Sequence, residues 1–454
     1  MSMESGRENA QYLKMTETPV ARLVVTLGIP TTISMLVSAI YNMADTAFVG
    51  TLGTSASGAI GVVFGYMAIL QAIGFMFGQG SGSQIARLLG QRDRESANRI
   101  ASTGFFTAFG LGLLVSVLSW FFLDPLLRLL GSSETILPHA RAYCRFILLG
   151  APFIIGSFVL NNILRFEGLA IKAMVGLVTG AVLNLIFDPL LIIVFHLGTA
   201  GAGLATAFSQ FVSFCILLSM FLRGVTQSRL SIRYYTHDFR VVLRIIAIGL
   251  PSLLRQAMSS LATIILNRCA RVYGDAAVAA MAIVNRISMF IFSVGLGLGQ
   301  GYQPVCSFNY GAGKYPRVRA AFRATLRLTL VILTVGSTLV FLAAPQLIRF
   351  FRDDPEVIAI GVRALRYACV AICVLPFSVL TNMTLQSSGK ALPASILALF
   401  RSGLFFLPVL LILNHVLGIQ GIQLAQPIAD VLTAVASIPF ILYYFRHLPK
   451  EETL

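Results

Sequence analysis

Charged residues are scarce in this chain, at 11% of its 454 residues, and acidic ones are the scarcer kind, with 18 Asp and Glu against 34 Lys and Arg. The hydrophobic share is 57% and the mean hydropathy is +0.83, which excludes a soluble globular protein of this size. Strict alternation of apolar and polar residues, the pattern of a membrane β-strand, is absent as well. The remaining class is a helical membrane protein.

The Cys-x-x-Cys pattern is also missing. The six cysteines form no Cys-x-x-Cys pair and mostly lie within or beside apolar runs. We therefore expect neither disulfides nor a cysteine-bound metal, and the thiols act as small apolar side chains.

Long apolar runs are what the chain has in abundance. Each is close to the roughly 20 residues that a helix needs to cross a bilayer. The runs cover residues 23–48, 58–82, 100–123, 146–164, 173–197, 201–222, 245–267, 276–300, 324–348, 367–386, 394–415 and 421–445. They predict an all-α integral membrane protein with twelve transmembrane helices.

The two halves of the chain repeat at an offset of 221 residues. At this offset Gly78, Gln79 and Gly80 recur as Gly299, Gln300 and Gly301, Pro30 as Pro251, and Gly168 as Gly389. We predict two pseudo-symmetric lobes of six helices each, at residues 1–222 and 245–454, joined by a cytoplasmic linker at 223–244. Because six is even, both lobes enter the membrane in the same direction, and their pseudo-two-fold axis is expected along the membrane normal.

Basic residues are distributed unevenly between the connecting segments. If the N-terminus is cytoplasmic, 21 Lys and Arg fall on the inner side and 9 on the outer side. The positive-inside rule then predicts a multi-pass protein with both termini in the cytoplasm. Short basic loops against anionic membrane lipids account for the net charge of +16. A basic patch interleaved with aromatic residues is absent, so nucleic acid is not an expected partner.

Only three acidic residues fall well within the apolar runs: Asp45, Asp188 and Asp430. A charge at that depth costs about 2.5 to 3.5 kcal/mol on insertion scales, so each is a candidate for a functional role. The repeat strengthens this argument for the first half. At the offset of 221, Asp45 corresponds to Leu266, Asn184 to Phe405 and Asp188 to Val409. The shared architecture therefore does not require these polar groups.

Helix geometry predicts that the polar residues of the first half form one cluster. Asn184 and Asp188 are four residues apart and share a helix face, and Tyr41 lies one turn before Asp45 in the same way. The expected topology also places Thr206 at a similar depth, in the outer half of the bilayer. Such oxygen-bearing groups can bind a proton or a hard monovalent cation, and a structural hydrogen-bond network is the alternative.

Two further features leave alternatives open. Pro30 lacks an N–H group and breaks one backbone hydrogen bond in the first span, which provides either a hinge or a passive kink. Asp430 can pair with a buried arginine such as Arg255, Arg286 or Arg401, in a structural ion pair or a substrate contact.

Several motifs together give the chain a family resemblance. They are Gly28-Ile-Pro30, Tyr41-Asn-Met-Ala-Asp45, Gly78-Gln-Gly80, Leu164-Arg-Phe-Glu-Gly168, Asn184-Leu-Ile-Phe-Asp188-Pro189 and Gly201-Ala-Gly-Leu-Ala-Thr206. In number of spans, duplication, charge topology and motif order, essentially the whole chain resembles the multidrug and toxic compound extrusion (MATE) family. The similarity is greatest to a bacterial branch with DinF-like and MepA-like exporters.

The resemblance implies a fold and a function. It implies two six-helix lobes in a V shape around a central cavity. It also implies antiport of organic cations or other amphipathic, drug-like compounds against inward H+ or Na+. We expect no enzymatic activity and no cofactor beyond the coupling ion. A monomer in the bacterial cytoplasmic (inner) membrane is expected.

The family's functional positions carry over residue by residue. The resemblance places the cation site of the first lobe at Asp45, Asn184, Asp188 and Thr206, with Tyr41 and Asn161 lining the same cavity and Pro30 on a bending first helix. The second lobe departs from some relatives, because the runs 245–267, 276–300 and 367–386 contain no acidic residue. This leaves Gln256 and Asp430 as the substrate- or cation-site candidates there.

Two other functions are compatible with parts of the sequence. A flippase for lipid-linked precursors, from the same wider superfamily, needs a strongly basic cavity and usually additional spans, and Arg255, Arg286 and Arg401 keep it open. An intramembrane enzyme needs clustered carboxylates for Mg2+ or a Ser/His pair at matched depth. The intramembrane acids are isolated in sequence and the histidines lie in or near loops and termini, which disfavours an enzyme.

Overall fold

The computed structural model describes residues 2–50 and 52–449, and every regular element in them is helical. The first half contains α1 (Ser2–Glu17), α2 (Val20–Gly50), α3 (Thr54–Gly90), α4 (Arg94–Phe121), α5 (Leu123–Leu129), α6 (Leu137–Phe166), α7 (Ala170–Pro189) and α8 (Gly198–Leu222). A π-helical turn, Leu190–Val194, separates α7 from α8. The segment that follows α8 contains a short 3-10 turn, Ile232–Tyr234.

The second half repeats this order. It contains α9 (Phe239–Arg271), α10 (Asp275–Gly311), α11 (Tyr315–Leu342), α12 (Ala344–Phe351), α13 (Pro355–Ile372), α14 (Leu375–Ser387), α15 (Ala391–Leu399), α16 (Phe406–Leu417) and α17 (Ile419–Arg446). A second π-helical turn, Phe400–Leu404, lies between α15 and α16.

The number of membrane-spanning helices agrees with the apolar runs. Eleven helical segments in the described part of the chain are long and apolar enough to cross a membrane, and one of them consists of α15, the π-helical turn and α16 together. The pair α13 and α14 forms a further span bent by 50°. The predicted all-α architecture with twelve spans is therefore confirmed when the bent pair is counted as one.

The bend lies inside the predicted run 367–386. In the first half, Pro152 is inside the continuous helix α6, whereas its counterpart Pro376 is the second residue of α14. A proline has no N–H to give to the preceding turn and its ring crowds that turn, so it favours a break at this point.

The duplication is visible in helix bounds and in hydrogen bonds. Both ends of α3 map onto both ends of α10 at the offset of 221, and the same holds for α4 and α11. The Asn161 side-chain amide donates to the Ala173 carbonyl at 2.8 Å, and Asn382 donates to the Ala394 carbonyl at 2.6 Å. The two halves thus share their backbone plan and an internal hydrogen bond.

The described chain packs as two compact units. Of the described residues, the first comprises 2–12, 33–50 and 52–249, and the second comprises 13–32 and 250–449. The division falls within α2, next to Pro30, and within α9, next to Pro251. The units therefore differ from the predicted lobes at the starts of these two helices, and the predicted linker 223–244 belongs to the first unit.

Glycines explain why the starts of α2 and α9 pack where they do. In the first unit, a Cβ atom at Gly249 would lie 1.9 Å from the Met76 carbonyl oxygen, and one at Gly80 would lie 2.1 Å from that of Ile245. In the second unit, a Cβ atom at Gly301 would lie 2.3 Å from the Gly28 Cα. The helix backbones approach so closely that only glycine fits at these crossings.

The segment after α8 is fixed to the first unit by buried polar groups. Glu167, 2% exposed, accepts hydrogen bonds from the Gln227 N–H at 2.7 Å and from the N–H of Ser228 at 3.0 Å, and it also accepts one from the Ser228 hydroxyl. Further along, the Arg229 N–H donates to Asn98 at 2.7 Å. Burial raises the pKa of Glu167 to about 7, although these hydrogen bonds oppose the shift.

Candidate functional site

Three helices of the first unit bring the predicted polar residues into one buried cluster. Asp45 comes from α2, Asn184 and Asp188 come from α7, and Thr206 comes from α8. None of the four side chains is more than 3% exposed. Residues 161 positions apart in sequence thus lie together inside the unit.

The hydrogen bonds of the cluster connect α7 to α8. The Asn184 side-chain amide donates to Asp188 Oδ1 at 3.3 Å and to Thr206 Oγ1 at 3.3 Å. The Asp45 carboxyl group is close enough to Asp188 for the two charges to act on each other. Two neighbouring carboxylates in a buried site repel each other, and a proton or a small cation relieves that repulsion. The geometry therefore suits a group that gains and loses a small positive charge.

Tyr143, on α6, completes the cluster, and sequence reasoning missed it. Its hydroxyl is 3.4 Å from Asp45 Oδ2, to which it donates, and 3.4 Å from Thr206 Oγ1, and the side chain is 1% exposed. The other cluster residues differ in type from their counterparts in the second half, but Tyr143 does not. The offset that matches Pro152 with Pro376 places Tyr367 opposite Tyr143, so the repeat does not mark this position. Only the folded arrangement shows that this tyrosine faces the carboxyl groups.

Small residues allow these helices to come together. A Cβ atom at Gly203 on α8 would lie 2.5 Å from the Tyr143 carbonyl oxygen, so α8 approaches α6 without a side chain between them. A Cβ atom at Gly180 on α7 would lie 2.9 Å from the Ser213 Cβ. The π-helical turn Leu190–Val194 begins two residues after Asp188, at a type of helix irregularity that is frequent at functional sites.

The donor set fits a proton or a hard monovalent cation. Asp45 Oδ1, Asn184 Oδ1 and Asp188 Oδ2 are buried and receive no hydrogen bond from the described residues. The groups that converge here are two carboxyls, an amide and two hydroxyls, and oxygen ligands of this kind favour hard cations. Buried oxygen atoms without a donor cost free energy unless a cation or a proton satisfies them.

The other predicted residues of the first half lie close to the cluster or to its helices. Tyr41 is partly exposed, and its hydroxyl is close enough to Asp45 and Asp188 to feel both charges. The amide nitrogen of Asn161 is bonded to Ala173, a contact that the second half repeats. Pro30 lies inside α2, close to the point between residues 32 and 33 where this helix passes from the second unit to the first. Their roles as cavity-lining residues and hinge stay predictions.

Gln256 and Asp430 belong to the second unit. The Arg401 Nε atom donates to Asp430 Oδ1 at 2.9 Å, so Arg401 is the arginine that pairs with this acid. Gln426 also donates to Asp430 Oδ1, at 2.8 Å. Gln256, on α9, is partly exposed. The roles predicted for these residues, and for the cluster of Asp45 and Asp188, stay predictions.

A duplicated helical membrane protein with ionisable groups buried in one repeat has the architecture of a secondary transporter. The MatE family model matches this chain twice, at residues 30–190 and at residues 251–412. The starts of the two matches are 221 residues apart, and together they cover more than half of the chain. The chain belongs to the MatE family, which confirms the resemblance and makes the protein a membrane transporter and not an enzyme.

Individual relatives are similar over nearly the full length. The chain is 29% identical to a multidrug export protein MepA of Staphylococcus saprophyticus, over 92% of each chain. It is 28% identical to the MepA protein of Staphylococcus aureus strain NCTC 8325, over 98% of each chain. It also superposes with a TM-score of 0.92 on the outward-facing conformation of a multidrug resistance MATE family transporter, with 27% identity over 97% of this chain and 99% of that one.

Proposed function

We propose that this protein is a secondary active multidrug exporter that exchanges organic cations and other amphipathic compounds for inward-moving H+ or Na+. The observation that carries the proposal is the buried carboxyl pair, Asp45 and Asp188, which hydrogen bonds through Tyr143, Thr206 and Asn184 connect inside one membrane unit. The names of the relatives, multidrug export proteins, support the substrate class.

The carboxyl pair is suited to coupling because its charge can change by one. Asp45, Asn184, Asp188 and Thr206 supply the oxygens that hold the ion, and the Tyr143 hydroxyl orients the Asp45 carboxyl. A ligand shifts a conformational equilibrium only by its difference in affinity for two states. Cation and drug must therefore favour opposite-facing states for one gradient to drive the other.

The available energy is sufficient. One elementary charge moving through 100 mV gives about 2.3 kcal/mol, which supports accumulation of a neutral drug by a few tens-fold. A cationic drug carries its own charge outward, so more than one H+ or Na+ per drug is needed for the membrane potential to contribute. This makes the number of ions per cycle a measurable property of the mechanism.

The cellular setting is part of the same proposal. The protein acts as a monomer in the cytoplasmic membrane of a bacterium, with both termini in the cytoplasm, and its basic inner loops contact anionic lipids. The staphylococcal relatives and the uneven distribution of basic residues support this setting.

The test uses purified protein in proteoliposomes with pH and sodium gradients imposed separately. Uptake of a labelled organic cation is expected to respond to one of the two gradients. Asp45→Asn and Asp188→Asn are expected to abolish that response while the protein still inserts and stays folded. Asp353→Asn, at an acid that is exposed and pairs only with Arg349 on the surface, is the matched control and is expected to transport normally. Full transport by both cluster variants would remove Asp45 and Asp188 from the mechanism.

A further inference from the structure

A second set of charged side chains lies inside the second unit, and it contains more positive than negative groups. Asp430 on α17 has a side chain only 4% exposed, and its Oδ1 atom accepts hydrogen bonds from Arg401 at 2.9 Å and from Gln426 at 2.8 Å. Arg401 uses a single nitrogen, Nε, for this bond. The rest of its guanidinium group contacts the face of the Phe292 ring, 4.4 Å from the centroid.

Arg255, on α9, is the excess cation. In the described part of the chain it has no carboxylate partner and no hydrogen bond, and it is only partly exposed. Arg401 lies nearby, because a Cβ atom at Gly403, two residues after Arg401, would lie 3.0 Å from the sulfur of Met258, three residues after Arg255 on α9. The two like charges repel each other. Two guanidinium groups therefore lie near one another, on α9 and in the turn Phe400–Leu404, and the acid Asp430 bonds to Arg401.

Neighbouring helices offer Arg255 no compensation. The apolar runs of the second half contain Asp430 as their one acid, and Arg286, on α10, adds another positive charge but is exposed. A guanidinium group inside a membrane unit is costly unless an anion or a polar group satisfies it. Its planar set of N–H donors matches a carboxylate, sulfonate or phosphate, each of which can accept two parallel hydrogen bonds.

Aromatic rings lie next to Arg401, and they can contact the apolar part of a ligand whose charged group binds the arginine. Arg401 lies in the π-helical turn Phe400–Leu404, where Phe400 packs on Phe405 with ring centroids 4.8 Å apart, and Phe292 covers the guanidinium. A flat apolar body next to a negative group is the chemistry that these side chains complement.

We propose that Arg255 and Arg401 form a binding site for the anionic group of an amphipathic compound, with Phe292 and Phe400 contacting its apolar part. The compounds that this transporter handles then include zwitterionic or anionic amphipaths besides cations. The binding statement stands on the geometry alone, and only the export of the bound compound rests on the proposed function.

The experiment measures binding without any gradient, so that an inactive exporter cannot hide it. The full chain is placed in phosphatidylcholine nanodiscs and equilibrated by dialysis with dansylglycine, which carries a carboxylate, or with its neutral amide. Dansylglycine is expected to bind about tenfold more tightly than the amide, since a charge-assisted hydrogen bond is lost in the second case. Equal binding of the two probes overturns the proposal.

Variants identify the site. Arg255→Gln leaves no buried carboxylate without its partner, so it should fold, and it is expected to abolish the preference for dansylglycine. Arg286→Gln, at an exposed arginine of α10, is the matched control and should keep the preference. Arg401→Lys retains the charge near Asp430 but loses the planar donors, and it should weaken the preference. Unchanged discrimination by Arg255→Gln overturns the assignment.

Two further measurements complete the experiment. One asks whether the bound anionic group can be a lipid headgroup, and the other distinguishes failure of this proposal from failure of the exporter proposal. If phosphatidylglycerol in the nanodisc displaces dansylglycine from the native protein, a lipid headgroup competes for the same arginines, and the anion site is supported. Asp45→Asn, which should not export, is expected to bind dansylglycine as the native protein does. A loss of export with binding retained contradicts neither proposal, whereas binding that fails in the native protein contradicts only this one.

Discussion

The Tyr143 hydroxyl lies between Asp45 and Thr206, and it is the contact of the cluster that can be removed with the least damage. Because phenylalanine keeps the buried ring, Tyr143→Phe should fold and insert normally while losing the hydrogen bond to the carboxyl group. At 3.4 Å this bond is long, and a typical hydrogen bond contributes about 0.5 to 1.5 kcal/mol, so gradient-driven uptake is expected to fall several-fold. Initial rates in proteoliposomes provide the measurement.

Tyr66 supplies the control for this prediction. It is a buried tyrosine of the same unit whose hydroxyl donates to Ser119 at 3.1 Å, away from the carboxyl pair. Tyr66→Phe loses one hydrogen bond of similar length and is expected to transport at close to the native rate. Equal loss of transport in both variants would show that Tyr143 has a structural role only.

Glu167 is expected to make the stability of the first unit depend on pH. Burial raises its pKa from the ordinary 4.5 to about 7 in the folded chain, so the folded state binds the proton more tightly than the unfolded state. The stability that this proton gives is fully present below pH 4.5 and is lost as the pH rises through about 7. The melting temperature of the native protein should therefore fall, relative to Glu167→Gln, between pH 5 and pH 8.

The measurement is a pair of melting curves at each pH in the same detergent. Glu167→Gln loses an acceptor for the Gln227 and Ser228 N–H groups, which shifts its melting temperature by a similar amount at every pH and leaves the trend readable. Glu95→Gln, at an exposed acid that pairs with Arg99, is the control and should follow the native curve. A difference between native and Glu167→Gln that stays constant with pH contradicts the assignment.

At the scale of helices, the glycine contacts decide how α3 and α9 cross within the first unit. Gly80→Ala would place a methyl group 2.1 Å from the backbone oxygen of Ile245, and a backbone cannot rotate away as a side chain can. Overpacking of this kind costs about 1 to 3 kcal/mol or more, so a clear fall in melting temperature and in folded yield is expected. The duplication predicts the same result for Gly301→Ala, which would contact Gly28 in the second unit.

Gly61 lies on the same helix α3 and provides the control for Gly80→Ala. No atom outside its own helix lies within 4 Å of a Cβ built there, and the residue is exposed. Since alanine favours helix over glycine by about 1 kcal/mol, Gly61→Ala should leave the melting temperature unchanged or raise it. If Gly80→Ala is as stable as Gly61→Ala, the close crossing of α3 and α9 is not needed for the fold.

The helices could be predicted from sequence to the extent that hydropathy and the repeat determine them. Apolar runs gave the spans, and the offset of 221 located corresponding helices, because both are local properties of the chain. The break between α13 and α14 was not predicted, since Pro152 and Pro376 are the same residue type in two different packing environments. The assignment of residues 13–32 to the second unit depends on glycine contacts between distant segments, which no local pattern records.

The cluster was predictable for a related reason. Asp45, Asn184 and Asp188 contrast with apolar counterparts in the second half, and a buried acid in a membrane span is conspicuous in sequence. Tyr143 and Glu167 gave no such contrast. Their importance comes from what surrounds them after folding: a carboxyl group for Tyr143, and the N–H groups of the segment after α8 for Glu167.

At the scale of the whole molecule, the distribution of basic residues predicts the orientation in the membrane. The segment between α8 and α9 contains Arg223, Arg229 and Arg233, whereas in the connection between α5 and α6 the acid Glu134 pairs with Arg128. Basic segments remain in the cytoplasm during insertion, so the first of these connections should be internal and the second external.

Single cysteines at Ser133 and His237 test this orientation, because both residues are exposed and lie in the two connections. In intact cells, a membrane-impermeant maleimide is expected to label Ser133→Cys, and to label His237→Cys only after the membrane is permeabilised. The unmodified protein gives the background, since its native cysteines are buried, lie within helices or follow α13 directly. Labelling of His237→Cys in intact cells, with Ser133→Cys protected, would reverse the topology. The carboxyl cluster would then face the opposite gradient, and inward-moving cations could not drive export through it.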